Sequence, residues 1–217
     1  MSRLLHIEAS PRGGESCSSR VAGAFLDEYR QRHPQDEVEH LPLFGYDLTA
    51  FDAEAAAEKM AHIGRLTRGE TNAKPEGKWA AVTAEIDRLK AADKVVISTP
   101  MWNFSLPYRL KHYLDVVIQP GLSFYVNRKG DYVGMLRDRP VQLVIASGSA
   151  YTPGFPRPDT GTKTDFLEAY LVHVLRWIGC TDIRIIRVQP TAAAPPDEVN
   201  AMLAGKLEEA RAAAATF

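Results

Sequence analysis

Cysteine is scarce in this chain: Cys17 and Cys180 are the two present, far apart and in no metal-like pair. A disulfide framework is thereby excluded, and a reducing compartment is the simpler expectation. Charge of one sign is also lacking. Lys and Arg total 26 against 27 Asp and Glu, with no long run of either, which argues against nucleic acid or an anionic membrane as main partner. No apolar run approaches the roughly 20 residues of a membrane span. The opening MSRLLHIEAS is too short and too interrupted for a signal peptide. A soluble, cytoplasmic protein is expected. The six histidines (His6, His33, His40, His62, His112, His173) show no metal-ligand spacing, so no metal site is expected. Cys17 has no histidine beside it in sequence and reads as structural.

What is there is an ordinary globular composition, 45% hydrophobic and 24% charged over 217 residues. That suits one α/β domain spanning 1–217, large enough to bury a full core. Buried strands are expected at 3–9, 94–99 (KVVIST) and 140–147 (PVQLVIAS), with lesser ones at 37–41 and 182–188. Helices are expected at about 18–33, 52–68, 76–91, 106–118 and 197–214, with AAAATF as a fraying end. Asp165 followed by Glu168 resembles a capping box. The helix it opens would turn Phe166, Tyr170, Val174 and Ile178 to the core. A short hairpin is expected around Asn127 to Asp131, and Arg137 with Arg139 reads as a solvated strand entry.

Strands alternating with helices imply right-handed crossovers and a five-stranded parallel sheet covered on both faces. The order 2-1-3-4-5 of a doubly wound fold fits, and ligands then bind outside the carboxyl ends of the strands. The loops after strands 1, 3 and 4 would be neighbours there. They are also the three most unusual loops in the chain. The first sets Ser10, Ser16, Ser18 and Ser19 around Gly13 and Gly14, just before a helix. Unpaired N–H groups and hydroxyls there suit a phosphate; Arg12 could help. The second, TPMWNFSLP, presents Met101, Trp102 and Phe104 to a flat ring, while Asn103 can meet polar edges. Ser105 or Pro107 then opens the next helix. The third carries Ser147, Gly148, Ser149 and Ala150, small enough for close backbone approach. Each loop alone also reads as an ordinary cap, core aromatic or turn; their common position singles them out. Neither a Walker loop nor GxGxxG occurs, and strand 2 ends His40-Leu41-Pro42 without an acid for a ribose. A mononucleotide fits better than a dinucleotide.

At these residues the sequence resembles the FMN-dependent NADH-azoreductases, which are flavodoxin-like quinone reductases. The resemblance runs from first strand to last. It includes Ser10, Ser16-Cys17-Ser18, Met101-Trp102-Asn103-Phe104, Leu110-Lys111, Gly121-Leu122-Ser123-Phe124, Ser147-Gly148 and Thr164-Asp165-Phe166-Leu167. It implies a flavodoxin-like fold and a homodimer with one FMN per subunit near the interface. Ser10 and 16–18 would hold the phosphate, Pro100 to Phe104 the isoalloxazine, and 147–150 its pyrimidine side. Phe124, with Tyr125 and Phe166, would line the face where NADH or NADPH and a quinone or azo acceptor take turns, a ping-pong reaction needing no nucleophilic side chain. Arg65, Arg68 or Arg157 would be the candidates for a 2′-phosphate clamp. Two departures stand out. The third loop reads Ser-Gly-Ser-Ala where the family often has a second glycine pair, and Cys17 replaces a larger polar residue. A non-catalytic electron carrier or a flavin-binding regulatory subunit would share the fold; the near-neutral charge and the aromatic insertions speak against the carrier.

Overall fold

The computed structural model describes residues 1–153 and 164–217. In chain order the elements are β1 (Arg3–Glu8), α1 (Cys17–Arg32), β2 (Glu37–Pro42), α2 (Ala53–Thr67), α3 (Gly77–Ala91), β3 (Lys94–Pro100) and α4 (Tyr108–Val117). There follow β4 (Phe124–Val126), β5 (Tyr132–Gly134), β6 (Val141–Ala146), β7 (Thr152–Pro153), β8 (Thr164–Asp165), α5 (Phe166–Trp177), β9 (Ile183–Val188) and α6 (Pro196–Ala214). The main sheet has five strands in the order β2-β1-β3-β6-β9. Every pairing in it is parallel. This is the doubly wound order expected from the sequence, with β6 and β9 as its fourth and fifth strands, in a flavodoxin-like fold.

The central strands are apolar all round because both faces are covered. Leu5, Ile7, Val95, Ile97, Val141, Leu143 and Ile145 face α3, α4 and α5. Leu4, Val96, Val144, Ile186 and Val188 face α1 and α6. Each such side chain contributes roughly 1.5–3 kcal/mol on burial. His6, Glu8 and Ser98 interrupt the α1 face while remaining buried. His6 Nε2 lies 2.9 Å from Ser98 Oγ, its ring stacks on His40 at 5.0 Å, and burial pushes its pKa down to about 3.

Local signals explain the helices. Asp52 caps α2 by accepting from the N–H groups of Glu54 and Ala55. Trp79, Val82, Ile86 and Leu89 form the buried stripe of α3. The hairpin around Asn127 to Asp131 is β4 paired antiparallel with β5. It docks on the end of α5 so closely that a Cβ at Gly134 would lie 2.2 Å from the Ile178 carbonyl carbon.

Four expectations need correction. The buried face of α5 is Leu167, Leu171, Val174 and Leu175, continued by Ile178 past its end. Val174 and Ile178 are buried as expected, but Phe166 and Tyr170 are only half-buried, Tyr170 packing on the rim of the core, because the fully buried stripe begins one position later. The capping box is half formed: Asp165 accepts from the Glu168 N–H at 2.8 Å, but the Glu168 carboxylate turns to Arg187, whose Nε donates to it at 2.6 Å. The tail does not fray. Phe217 is buried edge-on against Phe25 at 5.2 Å, and Lys94 Nζ donates to its carbonyl at 2.6 Å. Finally, Arg139 is no solvated residue: its Nη1 donates to the carbonyls of Leu89, Lys90 and Ala92, closing the C-terminal end of α3.

Candidate functional site

Parallel pairing of β1, β3 and β6 puts the loops that leave their carboxyl ends side by side. They enclose a small cavity of about 210 Å³ lined by Ser10, Ser16, Cys17, Pro100, Met101, Trp102, Ser147 and Gly148, with Pro11, Arg12, Ala146 and Thr191. Eight of the thirteen residues picked out as cofactor ligands from the sequence therefore meet in one hollow.

Its floor at the first loop is the amino end of α1. Ser16 occupies the N-cap position, yet no side chain caps the helix. Its hydroxyl lies 2.9 Å from that of Ser18 instead. The first-turn N–H groups are thus left to a ligand, within reach of several neutral hydroxyls and the partial positive charge of the helix end. Ser19 Oγ is buried there without a partner. By contrast Asp52 and Asp165 do cap α2 and α5. An anionic phosphate suits this donor set.

The second loop is a tight turn. Trp102 and Ser105 exchange both backbone hydrogen bonds, at 2.8 and 2.9 Å, across Asn103 and Phe104. Both central residues have positive φ, 48° and 68°. This is a costly conformation for a phenylalanine, and such strain collects at functional loops. The turn is braced from outside. Phe44 packs on Trp102 at 5.6 Å and on Tyr108 at 5.5 Å, while Arg109 Nε donates to the Leu43 carbonyl at 2.7 Å. The Phe104 carbonyl accepts from the Phe166 N–H at 3.0 Å, tying the turn to α5.

Trp102 also borders a second, larger cleft of about 1260 Å³ between α4, α5 and the 50–51 segment. Asn103, Leu106, Tyr108, His112, Phe166 and Tyr170 are among its walls. Such a volume accommodates a planar ring system with a second ring on top of it. Its polar groups are few. Lys111 donates to Asp115 at 2.6 Å, which holds the ammonium above its usual pKa, and His112 Nε2 is 3.0 Å from the Thr49 carbonyl. Asp165, beneath the Phe104 turn, has its carboxyl pKa raised by burial and by the neighbouring Glu168.

Phe166 thus joins the cleft, and Ser18 lies buried directly behind Ser16. Phe104 is exposed beside the cavity, its ring edge-on to Tyr151 at 5.9 Å. Ser149 and Ala150 flank the cavity without lining it. Phe124 and Tyr125 are not brought to the cleft within one chain. Phe124 packs on Trp177 at 5.6 Å, at the far end of α5, and Tyr125 is exposed there. Arg65 is engaged by Glu76 and Arg68 by Glu70, beside a different groove, whereas Gly154 and Arg157 lie outside the described residues. Among the described residues no group of His, Cys, Asp or Glu is placed to hold a metal ion, and no helix is long and apolar enough to cross a membrane. Sequence reasoning missed Thr191 and the α4 wall; Thr191 follows the last strand with no motif around it.

Known proteins match this chain over nearly its whole length. Residues 2–214 match a family described as having a flavodoxin-like fold. An FMN-dependent NADH:quinone oxidoreductase of Nitratidesulfovibrio vulgaris is 42% identical over 100% of both chains. One of Ruegeria pomeroyi is 40% identical, covering 88% of this chain and 90% of the relative. Among solved structures, azoreductase from Bacillus anthracis superposes with a TM-score of 0.82 at 25% identity over 100% of both chains.

Proposed function

The chain belongs to the family with the flavodoxin-like fold, and on that premise we propose that it is an FMN-dependent NADH:quinone oxidoreductase that also reduces azo compounds. The observation that carries this reading is the shared wall: Trp102 borders both the serine-rich cavity and the aromatic cleft. A ligand with an anionic end and a flat end would span the two. When bound, FMN supplies the redox chemistry, accepting a hydride from NADH and passing two electrons to the acceptor in separate half-reactions.

The protein's own residues bind, orient and shield. Ser10, Ser16, Cys17 and Ser18, with the open amino end of α1, hold the phosphate through neutral donors. Pro100 to Phe104 press the ring from one side, and Ser147 to Ala150 meet its pyrimidine edge through backbone groups. Both departures from the family pattern, at Cys17 and at Ser149-Ala150, are tolerable if backbone atoms make those contacts, and both could shift substrate preference. Phe166 and Tyr170 give the nicotinamide and the acceptor an apolar surface to stack on in turn. No side chain need act as a nucleophile.

We also propose a cytoplasmic homodimer. Phe166, Tyr170, His173 and Trp177 make one stripe along α5, continued by Phe124, Tyr125 and Tyr132 on the hairpin, and much of it is exposed. A stripe of this kind fits a subunit interface, and pairing there would bring Phe124 and Tyr125 of one subunit towards the cleft of the other.

NADH oxidation by the purified protein with menadione or methyl red, with and without added FMN, tests the reading. FMN-dependent turnover of both acceptors is expected. A yellow protein without turnover would leave an electron carrier or a regulatory subunit, and light scattering at the mass of one 24.0 kDa chain would remove the dimer.

A further inference from the structure

The loop at 147–151 has one bond of its own, the Ser147 hydroxyl donating to the Ser149 carbonyl at 2.8 Å. Several more come from β9 and the segment that follows it. The loop's first residue continues the ladder, with Ser147 N–H donating to the Val188 carbonyl at 3.1 Å. Thr191 then donates to the Ser147 carbonyl from its N–H at 2.9 Å and its hydroxyl at 3.1 Å. Ala192 and Ala193 N–H groups donate to the Gly148 carbonyl at 3.0 and 2.8 Å. At the far end of the loop one side chain bonds Tyr151 twice. Gln189 Oε1 accepts from the Tyr151 N–H at 3.3 Å, and Gln189 Nε2 donates to the Tyr151 carbonyl at 3.2 Å. The same Oε1 lies 2.9 Å from the Ser147 hydroxyl, whose single proton it shares with the Ser149 carbonyl.

The amide therefore imitates a strand neighbour for Tyr151 while also gripping the start of the loop. Its orientation is fixed by its partners: a flipped amide would set NH2 against an N–H and oxygen against a carbonyl. Tyr151 in turn packs edge-on against Phe104 in the strained second turn. One neutral side chain just past the last strand thus connects the two loops that face the ring end of the site.

We propose that Gln189 is a positioning residue for the flavin, setting the spacing between the 101–104 turn and the 147–151 loop without touching the cofactor phosphate. This rests on the flavin reading above. A glutamate of the same shape keeps the acceptor but loses the donor and opposes the Tyr151 carbonyl. A methionine of similar length loses all three bonds.

The test compares wild type, Gln189→Met and Gln189→Glu by FMN titration, flavin midpoint potential, and amide exchange of the 147–151 segment in the flavin-free chain. Loss of these bonds predicts FMN binding weakened about 10- to 100-fold in Gln189→Met. Faster exchange at 147–151 and a shifted potential are expected with it, and Gln189→Glu should lower the potential further by adding negative charge. Wild-type affinity and potential in both variants overturn the proposal, even if their melting temperatures fall. Should Gln189→Met not fold, Gln189→Glu alone decides by the same readings. If wild type itself takes up no FMN, the flavin reading has failed instead. Amide exchange then settles the clamp: faster exchange in a variant supports it and unchanged exchange rejects it.

Discussion

The two ends of the site are built on different principles. The end proposed for the phosphate is local: Ser10, Ser16, Cys17 and Ser18 come from one stretch of nine residues, running from the loop after β1 into the first turn of α1. The ring end is assembled from afar. Its 101–104 turn leans on Phe44, Arg109 and Phe166, and its 147–151 loop leans on Gln189 and Thr191. A short segment can present hydroxyls and free N–H groups by itself, because a helix start always has them. A flat ring needs walls at a fixed separation, and only separate elements docked on a rigid sheet provide that. The local end should therefore govern affinity through charge, and the assembled end should govern which molecules react.

Ser16→Asp is the strongest way to break this contrast. Aspartate is a good N-cap, so the apoprotein should melt at or above the wild-type temperature. Its charge facing a phosphate a few ångströms away should cost about 4 kcal/mol, roughly a thousandfold in FMN affinity. Isothermal titration and thermal melting give both numbers, and FMN affinity within tenfold of wild type would remove the phosphate from this end.

A second prediction concerns the strand beneath the phosphate loop. Burial holds the folded-state pKa of His6 at about 3, below its unfolded value. The unfolded chain then binds the extra proton, so this contribution is complete above about pH 6.5 and is lost as the pH falls towards 3. Going from pH 7 to pH 5 should lower stability by about 2 kcal/mol through this group. Urea midpoints should show a shallower acid slope in His6→Gln; an identical slope would mean that His6 is protonated in the folded protein.

At the ring end, Phe166→Ala should leave FMN affinity unchanged while raising the acceptor KM about tenfold, the loss expected for an aromatic stacking partner. A change in FMN affinity with an unaltered KM would place Phe166 on the wrong side of the ring. The smallest effect is expected from Phe104→Asn. Asparagine tolerates positive φ better than phenylalanine, so the fold should gain up to about 1 kcal/mol, while FMN binding weakens several-fold. Thermal melting without flavin checks the first half, and destabilisation would show that the turn is not strained.

The contrast also decides what could be read from the sequence. A parallel sheet covered on both faces was legible because the strands 94–99 and 140–147 are mostly apolar on successive residues; the strand order was taken from the doubly wound pattern and not read from the residues. The serine-rich side of the small cavity was legible because Ser10, Ser16 and Cys17 lie in one short stretch that follows a strand. The Met101–Phe104 block was legible as a surface for a ring. Its bracing was not, since Phe44, Arg109 and Gln189 lie tens of residues away with no motif around them. The phase of α5 was misjudged for a related reason. Phe166 and Tyr170 are large and largely hydrophobic, like Leu167 and Leu171, and periodicity alone cannot tell a core face from a cleft wall when both are hydrophobic. Likewise the Ala-rich tail carried no sign that Phe217 would lock under Phe25, because that contact joins the far end of the chain to α1.

The central claim is that one ligand is gripped by its phosphate at one end and its ring at the other. Titrating the flavin-free protein in parallel with FMN and with riboflavin, followed by flavin fluorescence and visible absorbance, tests it most directly. One FMN per chain with riboflavin bound at least a hundredfold more weakly is the predicted result. Equal affinity for the two, or no uptake of either, would contradict it.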